Sequence, residues 1–212
     1  MAEYRDDYIT MIAGNFLQPL ASAVAKLVEK ERPGVPGKSI ETETDWSITC
    51  VLLAMTMFEC WTAWPRQHRA DRVPHHDELK PFYNKLRAKI PTLPDLDDAF
   101  LLRNAIAHNH RWKVELETGE PGKIVAIHHL AGGRSDLQAK IDAEGRTNSG
   151  LRIVPSMIDR SDVKLVVDRV CNALRVLAEN DLLSPSFLKN VVVWPDEKRS
   201  RVNIFQIAAA IT

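Results

Sequence analysis

The chain has 212 residues, 45% hydrophobic and 26% charged, enough apolar material for one generous domain and too much for wholesale disorder. Its 28 basic residues balance 28 acidic ones, so any hold on nucleic acid has to come from a local patch. Three cysteines build no disulfide scaffold and fit a reducing, cytoplasmic compartment.

The N-terminus, MAEYRDDYITMIAGNF, carries acids where a secretory leader needs basic residues. The most apolar stretch, Ile48 to Phe58, is short of the roughly 20 residues of a bilayer span, so no membrane contact is expected.

Helical spacing of Tyr8, Ile12, Phe16, Leu20, Val24 and Leu27 predicts a first helix over 3–31, ended by Pro33. A second is predicted over 43–64, capped by Thr42 or Thr44 and stopped by Pro65. It is apolar nearly all round, which places it at the centre of a bundle or at an interface. A third spans 76–89 with Pro81 early, where a helix tolerates proline. A fourth spans 95–109, with three aspartates in its first turn.

The period then changes. Trp112, Val114 and Leu116 alternate with charges, 118–122 reads as a turn, and Ile124 to Leu130 follows, which predicts a β-hairpin. Residues 135–144 suggest a short helix and Leu151 to Val154 a third strand. A last long helix is predicted over 161–180 with Ser161 as cap. After Ser184, Val191 to Trp194 is strand-like and Ile204 to Ile211 fits strand or helix. The fold class is mainly α: an up-and-down bundle of four to five helices, with a small β insertion (111–160) before the last long helix. It reads as a single domain, with the bundle at 1–110 and 161–180 and a tail from 184.

The metal readings are weak. His75-His76 and His128-His129 are adjacent pairs whose side chains point apart, and no CxxC or HExxH occurs. Cys50 and Cys60 lie on one predicted helix about 15 Å apart, beyond disulfide reach. The informative segment is RNAIAH at 103–108, near the end of the fourth helix. Asn104 and His108 are four apart and share a face, and the long Arg103 side chain reaches the same edge. A guanidinium grips a phosphate by paired hydrogen bonds, while an imidazole moves protons near neutrality.

This motif, ending an amphipathic helix that follows a long apolar one, resembles that of the HEPN superfamily (higher eukaryotes and prokaryotes nucleotide-binding). Its helical bundles carry Arg, four to six residues, then His, with a polar residue often after the Arg. Here Asn104 fills the polar slot, and His110 satisfies the looser spacing. The likeness covers 1–110 and 161–180. It implies a metal-independent endoribonuclease without a cofactor, a toxin or phage-defence effector acting as a homodimer on RNA and not DNA, with an antitoxin as possible partner. His108 would be the base, Arg103 the charge stabiliser and Asn104 an orienting group. The family places an acid late in its second helix, and Glu59 would there position Arg103.

With 16 Arg and 7 His, about half a chance pair is expected at any one spacing. Arg69 to His75 is such a pair, and Val73-Pro74 breaks any helix there. Arg69, Arg72, His110 and Arg111 form the candidate RNA-binding set, extended by Arg66, Lys80, Lys85, Arg87 and Lys89; the plain alternative is a solvated basic face. A two-fold dimer through the second and fourth helices would bury the former and double the motif. The competing class is a non-catalytic helical dimer that binds a nucleotide or protein partner.

Overall fold

The computed structural model describes residues 15–29, 41–68, 78–108, 112–118, 123–129 and 138–212. The described residues are mainly helical. The helices are α1 (Leu17–Glu29), α2 (Glu41–His68), α3 (Leu79–Lys89), α4 (Asp97–Ala107), α5 (Arg160–Glu179) and α6 (Ile204–Ala210). Strands β1 (Trp112–Leu116) and β2 (Ile124–His129) form the expected antiparallel hairpin, with Val114 opposite Ile127. Strands β3 (Val192–Val193) and β4 (Arg201–Val202) form a second, smaller one. The start of the predicted first helix, residues 3–14, lies outside the described residues.

The all-round apolarity of α2 follows from its place at the centre, packed against α1, α4 and α5. Val51, Ala54, Met57, Phe58 and Trp61 are fully buried, and Trp61 stacks on Phe187 at 6.2 Å. By length and composition, Glu43–Ala63 passes as a membrane span, contrary to the sequence expectation. Half of that window is buried within the fold, as in a bundle's core helix.

Several boundaries need correction. α2 is already helical at Glu41, so Thr42 and Thr44 lie within it and neither occupies its N-cap position. Pro65 does not end α2 but lies within it, with the helix running on to His68. A proline removes one N–H from the ladder. The final turn is held by packing, since Pro65 is buried and the Arg66 guanidinium lies 5.7 Å from the Phe82 ring centroid. α4 is shorter than predicted at both ends. Asp95 stays outside it and accepts the Asp97 N–H at 2.8 Å, a local turn that competes with helix.

The cap of α5 is Asp159, not Ser161. Its carboxylate accepts the N–H groups of Ser161 and Asp162, while the Asp162 side chain accepts the Asp159 N–H. Burial works against ionised Asp159, but its bonds to Arg152 and to these N–H groups hold it below the usual carboxylate range. Residues 151–154 form no strand beyond one isolated bridge at Arg152. Their backbone is used otherwise: Ile153 N–H donates to the Gly145 carbonyl and Arg152 N–H to the Asp162 carboxylate, each at 3.0 Å. The predicted helix at 135–144 is a 3-10 turn at Gln138–Lys140, with 130–137 outside the described residues. In the tail, Ile204 to Ala210 is helical, started by an Asn203–Gln206 capping box.

One buried ion pair ties α1, α2 and α5. Arg160 Nε donates to Glu43 Oε1 at 2.9 Å, its backbone N–H reaches the same oxygen at 3.2 Å, and Nη2 reaches the Leu27 carbonyl at 3.2 Å. Both residues are buried. Removing one partner of such a pair costs about 3–5 kcal/mol, because the other charge is stranded. Glu43→Ala is therefore expected to lose that much in denaturant unfolding. Lys26→Ala, at the exposed Lys26–Glu29 pair, is expected to lose under about 1 kcal/mol.

Gly145, at φ +73, meets the hairpin. A Cβ there would stand 2.7 Å from Ile127 Cδ1, whereas one on Gly150, at φ +85, would meet nothing. The left-handed backbone alone costs about 1–2 kcal/mol for a non-glycine residue. Gly150→Ala should show that loss in thermal unfolding and Gly145→Ala a larger one, the excess reporting how Ile127 is seated.

Candidate functional site

Three aromatic rings fix α2, α3 and α4 behind the site. Tyr83 of α3 meets Phe58 of α2 edge-on at 5.5 Å and Phe100 of α4 at 6.0 Å. Its hydroxyl donates to the Pro94 carbonyl at 2.9 Å. Burial pushes the Tyr83 phenol well above its ordinary range, so it stays a donor.

In front of these rings lies a half-open cleft of about 320 Å³. Met55 and Phe100, both buried, make its floor. Glu59 stands one turn beyond Met55, and Arg103 and Asn104 one turn beyond Phe100, so the helical period brings all three to the rim. Arg103 Nη2 lies 3.4 Å from Glu59 Oε2, and Nη1 donates to Asn104 Oδ1 at 3.1 Å. The expected Glu59–Arg103 contact is thus present, single and not bidentate. The two side chains are 35% and 42% exposed, so solvent screens the pair and its worth is under about 1 kcal/mol.

Other site residues fall elsewhere. His108 is the exposed C-cap residue of α4, one turn beyond Asn104, and its backbone N–H donates to the Asn104 carbonyl at 3.0 Å. The cleft's lining holds Asn104 but not His108. Arg69, Arg72, His110 and Arg111 lie outside the described residues, as does His75. Of the described basic residues expected to track RNA, Arg66 lies over Phe82, Lys80 is 3.4 Å from Asp97 and Arg87 is 3.0 Å from Asp95. Two acids thus answer charges that the linear sequence leaves bare.

Sequence reasoning missed Glu78 in the cleft and placed Lys80 there only as part of a generic basic face. Both come from the start of α3. Their signal is spatial: Tyr83 fastens α3 across the gap between α2 and α4. Lys80 also lines a neighbouring cleft of about 380 Å³. There Ser149 Oγ bonds the Asp98 carboxylate and accepts from Arg169 Nη1 at 3.1 Å, which ties the loop to α4 and α5. Among the described residues, no three His, Cys, Asp or Glu side chains are placed to hold a metal. No family model, curated protein or solved structure matches the chain.

Cys60 reports on this site. Burial raises its thiol above the ordinary range, the neighbouring Glu59 charge raises it further, and Arg66 opposes both. Cys50 and Cys171 are buried deeper and pushed up to about 12. In native protein near pH 8, an alkylating reagent should therefore label Cys60 first. Glu59→Gln removes a charge that disfavours thiolate, so the pH profile of Cys60 labelling should move to lower pH. An unmoved profile would separate Glu59 from Cys60.

Proposed function

We propose that the chain is a metal-independent endoribonuclease of the HEPN type, a toxin or phage-defence effector acting on RNA as a homodimer. The observation that supports this best is the Glu59–Arg103–Asn104 cluster at the rim of an apolar-floored cleft, one helical turn from His108. In this reading His108 takes the proton from a ribose 2′-hydroxyl, which attacks the adjacent phosphorus. Arg103 meets the charge developing on the phosphate oxygens. The 5′ oxygen of the next nucleotide leaves and takes up a proton from water, giving a 2′,3′-cyclic phosphate and a 5′-hydroxyl, while His108 returns the proton it took to solvent. DNA lacks the nucleophile. Asn104 and Glu59 hold the guanidinium in place. The exposure of His108 suits a site completed across a two-fold axis, where the second copy brings its own motif. A neutralising antitoxin is the partner that the toxin reading carries.

A second reading, a non-catalytic module that binds a nucleotide or a protein, is favoured by the balance of charge. Glu59 and Glu78 share the cleft with Arg103 and Lys80, an even match that suits a neutral or zwitterionic ligand better than a polyanion.

Labelled total RNA incubated with the purified protein in excess EDTA separates the two. Cleavage is expected to persist, with cyclic-phosphate ends. His108→Ala should lose about 10²–10⁴ in rate and Arg103→Ala about 10²–10³, both remaining folded. The double variant should lose far less than the product, because residues acting as a unit do not contribute independently. His75→Ala should change little. Intact RNA with folded wild-type protein would move the assignment to the binding module.

A further inference from the structure

The second cleft, of about 380 Å³, separates acids from bases. Its acids, Asp95, Asp97 and Asp98, all stand on one wall, where the chain enters α4. Each is already answered. Arg87 lies 3.0 Å from Asp95, Lys80 lies 3.4 Å from Asp97, and Asp98 accepts the Ser149 N–H at 3.3 Å and the Ser149 hydroxyl. The facing wall carries Lys140, from the 3-10 turn, and Arg169, from α5. Among the described residues neither has a carboxylate at ion-pair distance.

Arg169 is aimed without being neutralised. Its Nη1 donates to Ser149 Oγ at 3.1 Å, and that hydroxyl is bound to the Asp98 carboxylate, so an uncharged group stands between the two charges. A guanidinium has five N–H donors, and this contact uses one of them. The acidic wall keeps one open acceptor. The Asp97 side chain is 44% exposed, yet its Oδ1, on the Lys80 side, is buried and accepts no hydrogen bond. The open oxygen is therefore Oδ2. The exposed Asn148 amide bonds to no described residue and can both donate and accept. Leu101 is the single apolar residue of the lining.

We propose that this cleft binds a small hydroxylated carboxylate, of the sugar-acid or hydroxy-acid class. The carboxylate lies on Arg169 and Lys140, and its hydroxyls reach Asp97 and Asn148. Charge selects the class. The three lining cations match the three aspartates, and Arg87, behind Asp95, adds one positive charge that a single carboxylate balances. A phosphomonoester brings about 1.5–2 negative charges near pH 7, and a nucleic-acid strand brings one more with every nucleotide. Either would set its surplus against a wall of aspartates. A guanidinium fork also matches a carboxylate through paired hydrogen bonds. An aliphatic acid would satisfy the basic wall but leave Asp97 and Asn148 without partners. The site is independent of the ribonuclease reading, which rests on the neighbouring cleft; Lys80 is the residue that lines both.

The test is calorimetric titration of the full chain with sodium gluconate, with circular dichroism as the check on folding. Gluconate is expected to bind. Sorbitol, which has the hydroxyls without the charge, and hexanoate, which has the charge without the hydroxyls, should each bind at least about tenfold more weakly, as should glucose 6-phosphate. Lys140→Ala removes an exposed side chain that nothing else in the described fold uses, and it should weaken gluconate about tenfold. Arg169→Gln should weaken it further. Asn148→Ala should weaken gluconate several-fold and leave hexanoate unmoved. Gluconate that gives no heat, or that binds Lys140→Ala and Arg169→Gln as well as wild type, would overturn the assignment. So would hexanoate or glucose 6-phosphate binding as tightly as gluconate, or a single-stranded oligoribonucleotide that displaces it and needs the same two cations.

Discussion

At the end of the bundle where α1, α2 and α5 meet, the Glu43 carboxylate takes both the backbone N–H and the Nε–H of Arg160, and the guanidinium continues to the Leu27 carbonyl. Neither charge has solvent to fall back on. A buried ion is tolerated only when its partners saturate it, so sliding or turning α2 against α5 would strand two charges at once. Apolar packing alone would permit several nearly equivalent registers of a helix as uniformly apolar as α2. The ion pair selects one. Glu59 lies sixteen residues further along the same rod, about 24 Å away at the helical rise. Where Glu59 meets α4 is thus set partly by a contact at the opposite end of the helix.

The helical period and the change to alternation after Trp112 were enough to read α2 to α5 and the hairpin, because one buried face imposes each pattern. The errors fall where two groups of similar chemistry compete. Asp159 and Ser161 are both capping types; the carboxylate at 159 wins because Arg152 and two N–H groups converge on it. Pro65 is a breaker in any local reading, and only its burial under α2's last turn, with Arg66 over Phe82, offsets the missing bond. Residues 151–154 have the apolar alternation of a strand, yet a carboxylate from α5 takes the place of a neighbouring ladder. In each case the deciding group is remote in sequence.

The site divides along the same line. Glu59 was reached only through the resemblance, as an acid late in the second helix, whereas Arg103 with Asn104 was legible as polar residues closing an amphipathic helix. Their meeting follows once α2 and α4 pack side by side. The role of Glu78 and Lys80 was not legible, since the start of α3 reaches the cleft only through the Phe58–Tyr83–Phe100 stack. Within the basic face read between 66 and 89, two of the described charges are answered in three dimensions. Asp95 and Asp97, which serve the start of α4 in sequence, also neutralise Arg87 and Lys80.

Glu59 stands in apparent opposition to any role for Arg103 in holding a phosphate, because it already occupies the guanidinium. The geometry argues otherwise. One contact at 3.4 Å between half-exposed groups is worth little, and it uses one edge of a fork that has five donors. A phosphate offers paired, charge-assisted bonds of roughly twice the strength of neutral ones, so it can engage the guanidinium without displacing the carboxylate first. Before a ligand arrives, Glu59 and Asn104 each hold one terminal nitrogen, and a long, rotamer-rich side chain is confined to the rim of the cleft. In the proposed reading, that placement would lower the entropy lost on holding a phosphate. In the proposed reading, an ion pair this weak would leave the guanidinium available to an anion.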